Sequence, residues 1–261
     1  MANRSTRRDL IEEEVLQRPK SENPVLVCGL PGSGYVGKLA ADHLVELFRL
    51  KKVAEYRSRS FPPQVNVGPG GVGLLPRAEL YFGRRPKGPG VFVFTADAQP
   101  TSSEGEYELA DAVVKFVKSC GVKKVYALAA YITGSFSPTP KVFGAATSKD
   151  LLDSLSKEGV TLMKDGGISG MNGLLIGMAS LRGLSGASLL GETSGYVVDA
   201  GASKAVLEVL SKLVGLAVDT SKLEQKAEET KKVISQLQSM SEQEMETAPP
   251  PRRETKPGYI G

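Results

Sequence analysis

The sequence predicts an α/β domain, a mostly parallel sheet with helices on both faces. Three observations point there. Short, continuously apolar runs at 25–30 (VLVCGL), 90–97 (GVFVFTAD) and 124–132 (KVYALAAYI) alternate with longer stretches of helical spacing. Strands lacking polar alternation belong to sheets covered on both sides. Three of these strands run into small-residue loops, GLPGSG, TADAQP and YITGS, at the strand end where open α/β sheets bind ligands.

Each element follows in order. After the first strand, GKLAADHLVELFRL (37–50) has helical spacing at Leu39, Leu44, Leu47 and Leu50. KVAEYRSRSF is a second, more polar extended run. The glycine- and proline-rich section 61–90 holds two short strand-like pieces, Val65-Asn66-Val67 and Ala78-Glu79-Leu80-Tyr81, joined by tight turns. Behind the strand at 90–97, an amphipathic helix from Glu106 to Ser119 carries Leu109, Val113, Phe116 and Val117 on one side and stops at Gly121. A strand at 124–132 and a short one at 142–146 follow. Ser148 then caps a helix through Leu155. The glycine-dense turn 165–173 precedes a small-residue helix at 174–182, ASLLGET (187–193) is the last buried strand, and Lys204 to Val214 is helical.

From 219 the texture changes. Leu223, Ala227, Thr230, Ile234, Leu237 and Met240 keep a 3–4 spacing among Lys, Glu and Gln, which predicts a helix with one narrow apolar stripe. Such a stripe needs a partner, its own domain or another subunit. The proline-rich, charged TAPPPRRETKPGYIG beyond it predicts disorder. The expected organisation is an N-terminal arm (1–21), the α/β domain (22–218), an amphipathic helix (219–246) and a flexible tail (247–261). Read from composition alone, the tail is either a docking peptide or an inert end.

Composition limits the function classes. Thirty-three basic against 29 acidic residues give a net charge of only +4, without the concentrated basic face of a nucleic-acid binder. The longest apolar stretch, 173–181, is too short to cross a bilayer. Two cysteines, Cys28 and Cys120, each at the edge of an apolar run, fit reduced thiols rather than a metal site. With no signal-like segment in the first twenty residues, the expected location is the cytoplasm.

The loop at 29–38 is the one motif with nucleotide chemistry. Gly32, Gly34 and Gly37 satisfy G-x-G-x-x-G; Gly32, Gly37 and Lys38 satisfy most of a P-loop, but Leu39 stands where the magnesium-binding hydroxyl belongs. A glycine turn into a helix N-terminus presents backbone N–H groups to an anion, and Lys38 adds charge. The same glycines also serve a tight turn and close strand–helix packing. Asp97 follows its strand as a Walker-B acid would, but two residues late. Glu55 has the spacing of a ribose-binding acid but falls within the second strand. The single histidine, His43, looks inward from the first helix, Cys28 has no evident base, and Glu104, Glu106, Asp165 and Glu192 show no paired spacing. No catalytic residue, metal site or cofactor is assigned.

Six segments in fixed order, GLPGSGYVGKLAADHL (29–44), FTADAQP (94–100), GEYELADAVVKF (105–116), AAYITG (129–134), GGISGMNGLLIGMA (166–179) and LLGETSGY (189–196), resemble the archaeal proteasome-assembly-chaperone family across about residues 22–214. Members have also carried an ATP-grasp-like ligase label. The resemblance implies a phosphorylase- or hydrolase-like α/β fold, self-association into a homo-oligomer and binding to proteasome α subunits. It also implies a role for the tail. Proteasome-binding proteins of this kind end in a hydrophobic-Tyr-X motif with a penultimate tyrosine. Here Tyr259 is third from the end, followed by Ile260 and Gly261, one register off the gate-opening geometry with its apolar anchors kept. The expectation is therefore a non-enzymatic proteasome assembly chaperone with Tyr259, Ile260 and Gly261 as partner-binding residues. The alternative is a small-molecule or nucleotide-binding α/β enzyme using loop 29–38.

Overall fold

The computed structural model describes residues 11–84 and 88–232. Its elements are β1 (Ile11–Val15), β2 (Val25–Gly29), α1 (Val36–Leu47), β3 (Lys51–Ser58), β4 (Asn66–Val67), β5 (Gly73–Leu74), β6 (Ala78–Gly83), β7 (Val91–Ala96), α2 (Ser103–Ser119), β8 (Lys124–Ile132), β9 (Val142–Ala146), α3 (Lys149–Lys157), β10 (Thr161–Leu162), α4 (Gly170–Leu181), β11 (Ser185–Thr193) and α5 (Ala200–Val214). Residues 221–232 are also helical.

Among the described residues nine strands form one sheet in the order β1-β3-β6-β7-β2-β8-β11-β9-β10, while β4 and β5 make a separate hairpin. The centre, β7-β2-β8-β11, is parallel as the buried apolar runs predict. Both flanks bring antiparallel pairings: β1 with β3, β3 with β6, β6 with β7, and β9 with β11. Connector length explains the β6–β7 case. A parallel crossover needs a dozen or more residues, and the chain from Gly83 to Val91 is shorter than that. Within the segment read as an N-terminal arm, IEEEV forms edge strand β1. Glu12 lies opposite Arg57 in register, and Glu14 lies 3.3 Å from the Arg57 guanidinium. Three glutamates on an open edge discourage pairing with another chain.

Alternation along the central strands divides the core in two. Leu26, Cys28, Phe92, Phe94, Val125 and Ala127 face α2 and α4, packing on Leu109, Val113, Val117, Met171 and Leu175. Val25, Val27, Val91, Val93, Tyr126, Leu128 and Leu189 face α1, α3 and α5. Leu223 and Ala227 of the 221–232 helix are buried in this second core. Lys222 pairs with Glu46 of α1 at 2.5 Å and Lys204 of α5 with Glu224 at 2.9 Å. The first turns of that helix therefore dock on their own domain.

Helix starts follow their caps. Ser102 accepts the Gly105 N–H, Ser148 the Leu151 N–H and Asp199 the Ala202 N–H. Thus α2 and α5 begin earlier than their apolar spacing alone predicts.

Candidate functional site

The loops after β2, β7, β8 and β11 meet at the carboxyl end of the parallel strands, as expected for this architecture. Between them and the turn preceding α4 lies a cleft of about 360 Å³, lined by Leu30, Gly32, Gln99, Tyr131, Ile168 and Asn172 among others. Among the described residues, none of its lining side chains carries a charge.

The glycine loop is built for close packing. A Cβ on Gly29 would lie 2.0 Å from the Gly37 carbonyl oxygen, and one on Gly37 would lie 2.1 Å from that of Leu128 on β8. These glycines let α1 rest directly on β2 and β8. Gly34 has φ +61° and Tyr35 φ +52°, so the chain turns through two left-handed residues before α1. Only Gly32 stands open, with Gln99 Nε2 at 3.8 Å as its near neighbour. Lys38 is directed away from the loop, donating to Asp42 Oδ1 at 2.7 Å and to Thr95 Oγ1 at 3.1 Å. The four residues read as an anion loop thus lie together in the chain, but two of them, Gly37 and Lys38, are engaged in packing and an ion pair.

Two residues that sequence reasoning passed over hold the loops in place. Buried Asp199 donates its N–H to the Gly34 carbonyl at 2.8 Å, accepts the Thr193 hydroxyl at 2.7 Å and caps α5. Gln99 donates to the Pro31 carbonyl at 2.6 Å and accepts the Met171 N–H at 3.1 Å, joining the glycine loop to the start of α4. The signal for Asp199 was an N-cap aspartate ahead of a helix; nothing local marks Gln99. Next to it in the cleft, Asn172 is 9 % exposed and its buried Oδ1 has no hydrogen-bond partner among the described residues.

The titratable candidates are dispersed. Glu55 sits on β3, separated from β2 by β6 and β7, so it cannot reach a ligand on the glycine loop. It is the centre of an ion cluster with Lys52 at 2.7 Å, Arg57 at 2.6 Å and Arg77 at 3.6 Å. Burial pushes its carboxyl up, but the Lys52, Arg77 and Arg57 charges outweigh burial and hold it below the usual carboxylate range. Asp97 accepts the Arg77 N–H at 3.2 Å, and Glu192 accepts the Lys141 N–H at 3.0 Å. His43 Nε2 lies 2.6 Å from the Asp219 carbonyl, tying α1 to the segment before the last helix. Cys28 is fully buried, and burial pushes its thiol far up. Glu106, near Gly170, is raised by burial. Glu104 and Asp165 lie exposed on loops or a first turn. Among the described residues no group of acidic, histidine and cysteine side chains is arranged to hold a metal, and no helix is long and apolar enough to cross a membrane. Tyr259, Ile260 and Gly261 lie outside the described residues.

Around this end of the sheet the surface is apolar: Tyr35, Ile132, Tyr196 and Val198 are all exposed, Tyr196 at 85 %. Isolated exposed apolar residues are ordinary, but a group on one face suits contact with a macromolecule.

Known proteins agree with this architecture. The PAC2 family model matches residues 26–238. A Methanocaldococcus jannaschii protein, "Uncharacterized protein MJ1210", is 37% identical over 97% of this chain and 98% of its own length. Among solved structures, Pyrococcus furiosus PbaB, described as an archaeal proteasome activator, superposes with a TM-score of 0.82 at 35% identity, covering 88% of this chain and 99% of that one. P. furiosus PbaA, described as an archaeal homolog of proteasome-assembly chaperone, gives 0.72 at 32% identity over 90% and 93% of the two chains. Agreement of sequence and fold over nearly the whole domain places this chain in the PAC2 family.

Proposed function

We propose that this protein is a proteasome assembly chaperone, binding proteasome α subunits or rings as a homo-oligomer through the segment containing Tyr259, Ile260 and Gly261. The observation that carries this reading is the likeness in sequence and fold to two P. furiosus proteins whose descriptions share one partner, the proteasome. The glycine loop supports the same direction, since Gly29 and Gly37 are consumed by strand–helix packing and Lys38 by Asp42. Tyr259 and Ile260 offer two apolar anchors, and a homo-oligomer multiplies a weak contact through effective concentration.

The test is a pull-down of archaeal proteasome α subunits with the full chain and with one ending at Thr247. Capture by the full chain alone supports the tail as the docking element. Capture by both moves the contact to the folded domain, and capture by neither removes the proteasome reading.

One observation favours a second use of the cleft. The unpartnered Asn172 Oδ1 beside an uncharged, partly apolar wall suits a small neutral ligand bearing a hydrogen-bond donor, and not a polyphosphate. A nucleoside that raises the melting temperature of wild type but not of Asn172→Leu supports that use; no shift at millimolar concentration removes it.

A further inference from the structure

The segment 64–75 is left unexplained by the fold of its own chain. Among the described residues β4 and β5 pair only with each other. Val65, Val67, Val72, Leu74 and Leu75 are exposed, Val67 at 73 %. Between Arg59 and Arg77 the sequence holds no charged residue. A two-stranded hairpin alone is marginal in water. Unlike β1, with its three glutamates, this one carries no charge to discourage association. Its turn is specific, with Gly70 and Gly71 at φ +80° and +79° and the Gly68 N–H bonded to the Val72 carbonyl at 2.9 Å. The hairpin is therefore a defined, projecting arm with aliphatic side chains on its surface.

At the base of the arm lies a cleft of about 380 Å³, lined by Phe61, Pro62, Pro63, Leu75 and Pro76 with Glu12 and residues 57–59 at its rim. We propose that the arm is a self-association device: Val65 and Val67, which share one face of one copy's hairpin with Leu75 by its register, seat in the Phe61–Pro76 cleft of a second copy, and the second copy returns the same contact.

A second copy is the occupant that the geometry selects. From residue 65 to 70 the arm spans roughly 17 Å at ~3.3 Å per residue, so its tip cannot fold back into the cleft at its own base. Two arms laid antiparallel place each tip at the other's base, an isologous contact that closes with two copies. The knob and the Phe61–Pro76 wall of the hole are both apolar, so a charged partner finds no counter-charge on the arm itself. The twelve arm residues 64–75 and the eight others lining the cleft make twenty, the lower end of the ~20–30 residues per side of a stable interface.

This deepens the homo-oligomer part of the proposed function, and its test involves no proteasome. By sedimentation at micromolar concentration the full chain is expected to be a dimer or a larger even assembly. Val67→Asp/Leu75→Asp places charges on exposed positions, so the fold and melting temperature of the protomer are retained while association weakens at least about tenfold. Val67→Cys combined with Pro62→Cys is expected to give an intermolecular disulfide on oxidation; native Cys28 and Cys120 are buried and contribute little background. A monomeric wild type, or association unchanged by the double Asp variant, overturns the proposal. So does association abolished by removing residues 1–10 yet indifferent to the arm variants, which assigns the cleft to that segment. A protein that self-associates through the arm but captures no α subunit upholds this inference while removing the proteasome reading.

Discussion

Replacing Gly37 by Ala separates the two meanings of the glycine loop. The added Cβ would lie 2.1 Å from the Leu128 carbonyl oxygen and 2.9 Å from its carbonyl carbon, both backbone atoms of a central strand. Ordinary contact begins near 3.4 Å, so α1 must lift by about 1.3 Å from β8. It cannot pivot about Gly29, whose own Cα lies 3.4 Å from the same Cβ. Overpacking of this kind costs ~1–3 kcal/mol, and a fixed backbone obstacle belongs at the upper end. Helix propensity offsets ~1 kcal/mol of that, since Ala replaces Gly inside a helix. The net expectation is a loss of about 2 kcal/mol, or ~4–8 °C in melting temperature for a domain of this size. Gly32→Ala is the control: its φ is −174°, open to any residue, and its nearest neighbour is 3.8 Å away. Thermal and urea unfolding of both variants decide the matter. If Gly37→Ala melts at or above wild type, the packing argument is wrong and a ligand becomes the better reason for that glycine.

Three further outcomes follow from the structure. Asp199→Ala removes the α5 cap and the acceptor for Thr193, and is expected to cost ~1–2 kcal/mol in urea unfolding; a loss below about 0.5 kcal/mol would show that the loops hold without it. Glu55 has a folded pKa below its unfolded value, so its stabilisation is present above the unfolded carboxyl range near pH ~4.3 and is lost as pH falls through the folded value. Glu55→Gln is therefore expected to be less stable at pH 7 and to show a shallower acid limb, read from urea midpoints between pH 7 and 3; an equally steep limb refutes the assignment. Burial raises both Cys28 and Cys120, so an aromatic disulfide reagent is expected to find no fast thiol in the native protein and two after unfolding.

The central sheet was legible because its strands are apolar without interruption, and such runs have few other places to go. KVYALAAYI and VFGAA emerged with the expected bounds. What stayed hidden was information carried by partners rather than by local pattern. IEEEV looks like a charged arm until Arg57 stands opposite its glutamates. The start of α4 is obscured by GMNG, where Gly173 is needed because a Cβ would meet the Ile168 carbonyl oxygen at 1.8 Å. Glu55 has the right chain spacing for a ribose acid and the wrong place in the strand order. Gln99 joins segments 68 and 72 residues away, a distance no periodicity reports.

Strand direction brings three of the unassigned features to one end of the molecule. Since β3 is antiparallel to β6 and β6 to β7, β3 runs with the central strands, and the 59–77 excursion leaves from their carboxyl end. The glycine-loop cleft opens at that same end. Helix α5 starts there, where Asp199 meets Gly34, and residues 221–232 run back along it, with Ala227 beside the first turn at Gly201. Chain position 232 therefore arrives at the end that carries the arm and the exposed Tyr35, Ile132 and Tyr196. Two copies joined through their arms would bring both departure points of the C-terminal segment to neighbouring ends of one assembly. That arrangement is what effective concentration requires: on the proposed reading each segment would bind weakly, and the arm contact would hold the second one within reach of the same partner. Loss of the arm contact would then weaken partner binding without altering a single residue of the tail.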